Sequence, residues 1–190
     1  MGNPLRDRRT PSELAASAQV IEFSEKIGEF GRLAKIVEDD LKLLDPAKLP
    51  PDWRDAAVCG KLAFGFAGAR SGLQREGTWP ALQGRVTVTV AAVCQRCLEP
   101  LQLSLAAELR LMFAADKSMA VDDDGFEVWE LEEDKLRLVD LVEEALIMAM
   151  PFAAMHADNA TCREPETLET KAGESIRPFA TLKSQMEEND

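Results

Sequence analysis

Residues 86–113 constrain the fold more than any other part of the chain. Val86-Thr-Val-Thr-Val90 alternates apolar and polar side chains, the period of a half-buried strand. After Pro100 the alternation resumes, with Leu101, Leu103, Leu105, Ala107, Leu109, Leu111 and Phe113 on one side. Gln102, Ser104, Glu108 and Arg110 fall mostly on the other. Between the two runs lies Cys94-Gln-Arg-Cys97-Leu-Glu-Pro100. The cysteines therefore occupy the turn of a long β-hairpin, where two thiols converge.

Other segments supply the elements around that hairpin. A short strand is expected over 19–23, followed by a helix with Ser24 as N-cap. Phe23, Ile27, Phe30, Ala34, Val37 and Leu41 recur at steps of three and four, forming one apolar stripe suited to covering a sheet. A strand is expected over about 56–67, where Gly65 and Gly68 point to a bulge or strong curvature. Cys59 within it reads as a small buried side chain. Residues 69–83 read as a loop or loose hairpin, and 126–131 as a short strand. Asp140 with Glu143 has the spacing of a capping box for a helix over 141–150, which Pro151 ends. The expected fold is α+β: a curved, mostly antiparallel sheet, with barrel-like closure as a variant, and two flanking helices. Residues 1–17 read as a mobile arm, 18–162 as one globular domain, and 163–190 as a disordered polar tail.

Composition narrows the function. A formal charge of −12 opposes a phosphate backbone, so any nucleic-acid contact must come from a local basic patch. The acidic segment around Asp122–Asp134 suits a basic protein partner; a solvated surface is the plainer reading. No run of about 18 apolar residues or apolar leader occurs, so a cytoplasmic protein is expected. Four cysteines in such a chain do not form a disulfide framework.

Cys94 and Cys97 join His156, the one histidine, and Cys162 in a Cys-Cys-His-Cys set with the number and type of ligands for tetrahedral zinc. Such a closed set is structural and leaves no open position for catalysis. Reduced structural thiols are the competing reading. Thioredoxin-like chemistry is weaker, because a strand rather than a helix follows the second cysteine. No Ser-His-Asp or Cys-His constellation is apparent, so a binding protein is favoured over an enzyme.

These residues resemble the YceD family. The strand running into Cys94-Gln-Arg-Cys97-Leu-Glu-Pro100 carries the likeness, with Val139-Asp140-Leu141, Ile147 to Pro151, Met155-His156 and Cys162 following in order. Arg177-Pro-Phe-Ala-Thr-Leu-Lys183 resembles the family's terminal motif, although the chain departs from the pattern after Lys183. The resemblance implies a non-enzymatic bacterial ribosome-biogenesis factor needed for accumulation of large-subunit (23S) ribosomal RNA, through its synthesis, processing or stability. Its partner would be that RNA, a large-subunit ribosomal protein or an assembly intermediate, with no membrane or small-molecule substrate. One structural zinc is the cofactor expectation. Arg85, Thr87, Thr89, Arg96 and Arg110 are the candidate RNA or partner contacts. The alternatives are a zinc- or thiol-dependent enzyme and a generic acidic adaptor.

Overall fold

The structure is a computed structural model that describes residues 3–71, 74–114, 125–131, 134–157 and 162. Its elements in chain order are β1 (Arg8–Arg9), α1 (Pro11–Ala16), β2 (Val20–Lys26), α2 (Gly31–Leu41), β3 (Ala57–Ser71), β4 (Gln74–Val93), β5 (Pro100–Ala114), β6 (Glu127–Glu130), β7 (Leu136–Arg137) and α3 (Leu138–Met148). The alternating runs pair as β4 and β5, with Val86 opposite Ala107 and Val93 opposite Pro100.

The main sheet has the order β2-β3-β4-β5-β6 and is antiparallel except for the β5–β6 pair. It does not close into a barrel. Closure needs the two edge strands to pair, and here β2 and β6 remain the sheet's two edges. β1 and β7 form a separate two-stranded ribbon.

Strand periodicity sorts the side chains. Val58, Leu62 and Phe64 of β3, Leu82, Val86, Val88 and Val90 of β4, and Leu105, Leu109 and Leu111 of β5 are buried on one face. Leu14 of α1, Leu33, Val37 and Leu41 of α2, and Leu138, Leu141, Val142 and Leu146 of α3 belong to the same core cluster. Each such side chain contributes about 1.5–3 kcal/mol by leaving water. The opposite face carries Lys61, Arg85, Thr87, Thr89, Ser104, Glu108 and Arg110, all exposed.

Several local expectations give way to tertiary packing. The 1–17 arm is folded back over its described part: α1 carries a Thr10–Glu13 capping box, and Leu5 and Leu14 sit in the core. Ser24 lies inside β2, and α2 begins only at Gly31 after a 3₁₀ turn over Ile27–Glu29. Cys59 is exposed rather than buried, because it holds an outward position of β3 and contacts the Ser24 hydroxyl at 3.5 Å. The loop expected over 69–83 is largely strand, with Phe66 opposite Pro80 and a register shift at Ala69/Arg70 rather than at Gly65 or Gly68. Pro80 lies beyond the end of the β4–β5 ladder, which begins at Ala81, so it has no β5 partner to donate to. The proposed C-terminal tail, 163–190, and residues 122–124, 132 and 133 of the acidic segment lie outside the described residues.

The end of α3 nearest α2 also departs from the expected cap. α3 starts at Leu138, and Asp140 in its first turn accepts from Arg137 Nε and Nη2 at 2.8 and 2.9 Å. Glu143 does not turn back on its own helix. Its carboxylate accepts from the Arg32 and Leu33 backbone N–H groups at 2.6 and 3.1 Å, capping α2 from the outside. This matters because the α2 N-cap, Phe30, has no side-chain acceptor of its own.

Candidate metal centre

The β4–β5 turn places two cysteines at the end of the sheet that α2 also reaches. Cys94 N–H donates to the Glu99 carbonyl and Leu98 N–H to the Cys94 carbonyl, both at 2.9 Å. Leu98 adopts φ 57°, the left-handed conformation that reverses the chain between the cysteines and Pro100. Asp40 of α2 accepts from Val93 N–H at 2.8 Å, and Lys48 pairs with Glu99 at 2.6 Å. The turn is thus tied to the helical layer on both sides.

The segment after α3 completes the group. Gln95 N–H donates to the Ala154 carbonyl at 2.8 Å, which brings the following His156 beside the turn. Cys94 Sγ and Cys162 Sγ are 3.7 Å apart, and Cys97 Sγ and His156 Nδ1 are 3.5 Å apart. One ligand atom from each of Cys94, Cys97, His156 and Cys162 lies within 4.8 Å of every other. Tetrahedral zinc with Zn–S of about 2.3 Å and Zn–N of about 2.0–2.1 Å implies edges of about 3.8 Å (S···S) and about 3.5 Å (S···N). The donor set and its spacing fit zinc. The sulfurs are also too far apart for a disulfide, which needs about 2.05 Å.

Outer interactions orient these ligands. His156 Nε2 lies 3.3 Å from the Pro100 carbonyl, so an Nε2–H donating there leaves Nδ1 as the electron-pair donor aimed at the sulfurs. Cys94 is fully buried, which opposes ionisation, yet backbone N–H groups of Cys97, Arg96 and His156 directed at its sulfur outweigh this and lower its pKa to about 5. Burial, followed by the neighbouring sulfurs of Cys97 and Cys94, raises Cys162 to about 11. The metal-free protein therefore carries a thiolate at Cys94 and a thiol at Cys162 at neutral pH.

The Cys94 pKa is depressed from an ordinary value near 9, so its contribution to stability is present above that value and lost as pH falls through about 5. Cys162 is shifted the other way, so its contribution is present below about 9 and lost as pH rises through about 11. Ultraviolet titration of the metal-free protein should show thiolate absorbance persisting down to about pH 5 and vanishing in a Cys94→Ser variant. A thiolate signal that disappears entirely near pH 8–9, the range of about one unit around a free thiol, would refute this ordering.

The candidate nucleic-acid contacts are only partly brought together. Arg85, Thr87, Thr89 and Arg110 share the exposed sheet face, where Arg85 pairs with Glu108 at 3.7 Å and Thr89 meets Ser104 at 3.3 Å. The Arg110 guanidinium lies 5.7 Å from the Phe126 ring centroid. Arg96 stands apart at the hairpin tip, donating to Met155 Sδ at 3.8 Å. A second basic grouping was not evident from sequence: Arg8, Arg32, Lys135 and Arg137 line one cleft beside Trp129. The closeness of Arg6, Arg8 and Arg9 is a partial signal, but the other cations come from two distant segments, around Arg32 and over 135–137.

A family model described as "Large ribosomal RNA subunit accumulation protein YceD" matches residues 82–184, which include all four metal-site side chains. A protein of the same description from Haemophilus influenzae is 34% identical over 80 residues, covering 40% of this chain and 45% of that relative. The match therefore spans a little under half of the relative's length. No solved structure matches the chain.

Proposed function

The chain belongs to the YceD family, and from that premise we propose that it is a bacterial ribosome-biogenesis factor required for accumulation of large-subunit (23S) ribosomal RNA. The single observation that carries this reading is the family match across residues 82–184, over half of the chain. The protein acts by binding rather than by catalysis, in the cytoplasm, on the RNA itself or on a large-subunit assembly intermediate. Among the described residues no helix is long and apolar enough to cross a membrane. A reactive-thiol enzyme is poorly served by Cys94, whose side chain is sealed from solvent.

Within that role, Cys94, Cys97, His156 and Cys162 hold one zinc ion. Bound there, zinc supplies cross-linking between the hairpin turn and the segment after α3, not an open site for chemistry. The exposed sheet face with Arg85, Thr87, Thr89 and Arg110, and the tip residue Arg96, are available for partner contacts around it.

Deletion of the gene should lower 23S RNA relative to 16S RNA in total-RNA profiles. Re-expression of this chain should restore the ratio. An unchanged ratio in the deletion strain would overturn the proposed role.

A further inference from the structure

In a chain carrying a formal charge of −12, a cleft whose cations outnumber its carboxylates calls for an explanation. A cleft of about 400 Å³ lies between the β1–β7 ribbon, α3 and β6. Arg8, Arg32, Lys135 and Arg137 line it together with the half-buried indole of Trp129. Arg8 stands directly opposite Arg137 in the ribbon's register.

Two of these guanidinium groups are held in place. Arg137 gives Nε and Nη2 to Asp140, at 2.8 and 2.9 Å. Arg32 gives Nε to Glu143 at 3.0 Å and Nη1 to Glu144 at 2.8 Å. An arginine has five N–H donors in a planar fork, so these bonds orient each group while leaving donors to spare. Carboxylates of Glu130, Asp140 and Glu144 also line the cleft, so the cations exceed them by one, four against three. The cleft consequently attracts an anion through oriented donors at short range, not through a long-range field.

We propose that this cleft receives the sugar–phosphate backbone of single-stranded RNA, with Trp129 as the stacking surface for one base. The inference rests on the proposed role in ribosomal RNA accumulation and names where the RNA is held. Planar guanidinium forks match phosphate oxygens two at a time. An indole face offers stacking of about 1–3 kcal/mol to any unpaired base. The exposed sheet face also carries guanidinium forks, on Arg85 and Arg110, but no tryptophan is found among the residues named there.

The test is fluorescence anisotropy of the full chain with a labelled single-stranded oligoribonucleotide of large-subunit RNA sequence, compared with its duplex. An Arg8→Ala/Lys135→Ala double variant should weaken single-strand binding by about tenfold or more, as expected for losing two phosphate contacts. Arg85→Ala/Arg110→Ala should change it by less than about twofold. Lys135→Glu alone, on an exposed side chain, repeats the test if the double variant melts abnormally. Equal or larger losses from the sheet-face pair would overturn the assignment, as would duplex binding as tight as single-strand binding. Displacement by polyglutamate as effective as by polyuridylate would reduce the cleft to an indiscriminate anion site and overturn it too. No binding by the wild-type chain would end the inference yet leave the 23S-to-16S ratio in the deletion strain to judge the family role separately.

Discussion

The parent protein purified under reducing conditions is expected to carry about one zinc ion per chain, and a Cys97→Ser variant is expected to lose it. Three ligands remain in the variant, but zinc in a structural site is held by four, and the serine hydroxyl is a poor substitute for a thiolate. The consequence for stability follows from linkage. Free zinc at 1,000 times its dissociation constant stabilises the folded chain by about 4 kcal/mol. For a chain of this size each kcal/mol moves the melting temperature by about 2–4 °C, so the variant should melt roughly 8–16 °C lower. A chelator added to the parent protein should give the same shift, and Cys59→Ser, on the opposite face of the sheet, should leave both metal and melting temperature alone. Metal-free parent protein with an unchanged melting curve in the variant would reduce Cys94, Cys97, His156 and Cys162 to packing residues.

The pre-set geometry explains why the effect should be large. Sulfur and nitrogen donors already stand at tetrahedral spacing, 3.7 and 3.5 Å apart, so little rearrangement is needed on binding. His156 is held by the Pro100 carbonyl and Cys94 by three backbone N–H groups, which lowers the cost of collecting thiolate charge in a buried place. Binding a cation there removes the repulsion between sulfurs that the metal-free protein avoids by keeping Cys162 protonated.

Glu143→Leu should destabilise the fold by about 2–4 kcal/mol, read by chemical denaturation. Glu143 is 6% exposed and accepts three hydrogen bonds, two from the first turn of α2 and one from the Arg32 side chain. Leucine fills a similar volume but leaves the Arg32 and Leu33 N–H groups without acceptors and Arg32 without its innermost partner. Loss of a negative group at the positive end of the α2 dipole adds to the cost. Glu143→Gln keeps an acceptor oxygen and should cost about 1–2 kcal/mol. A leucine variant as stable as the parent would mean that α2 does not depend on this cap.

The two expected effects differ in how far they could be read from the chain. Hairpin strands were legible because side-chain alternation is a local consequence of the pleat: Val86, Val88, Leu105 and Leu109 are inward in sequence and in structure. The apolar stripe from Ile27 to Leu41 was legible for the same reason, through the helical repeat. The Cys-x-x-C turn located half of the candidate site, and residue chemistry alone named His156 and Cys162 as the other half. Spacing in the chain said nothing about distance across it; Cys94 and Cys162 are 68 residues apart and meet only because the segment after α3 crosses the hairpin turn.

Local patterns failed where a side chain had a distant partner to choose. Asp140 and Glu143 satisfy the capping-box spacing, yet Glu143 serves a helix 110 residues earlier, since α2 offered bare N–H groups and no cap of its own. Arg8, Arg32, Lys135 and Arg137 come from separate stretches of the chain and become a cleft only when β1 pairs with β7 beside α3. Whether the sheet opened or closed was likewise undetermined by alternation, which is the same in both, and was decided by where β2 and β6 end as edges. The sequence by itself determined periods, faces and the identity of the ligands, because those depend on neighbours within a few residues. Tertiary structure decided partners, caps and charge clusters, because those depend on which surfaces the core brings together.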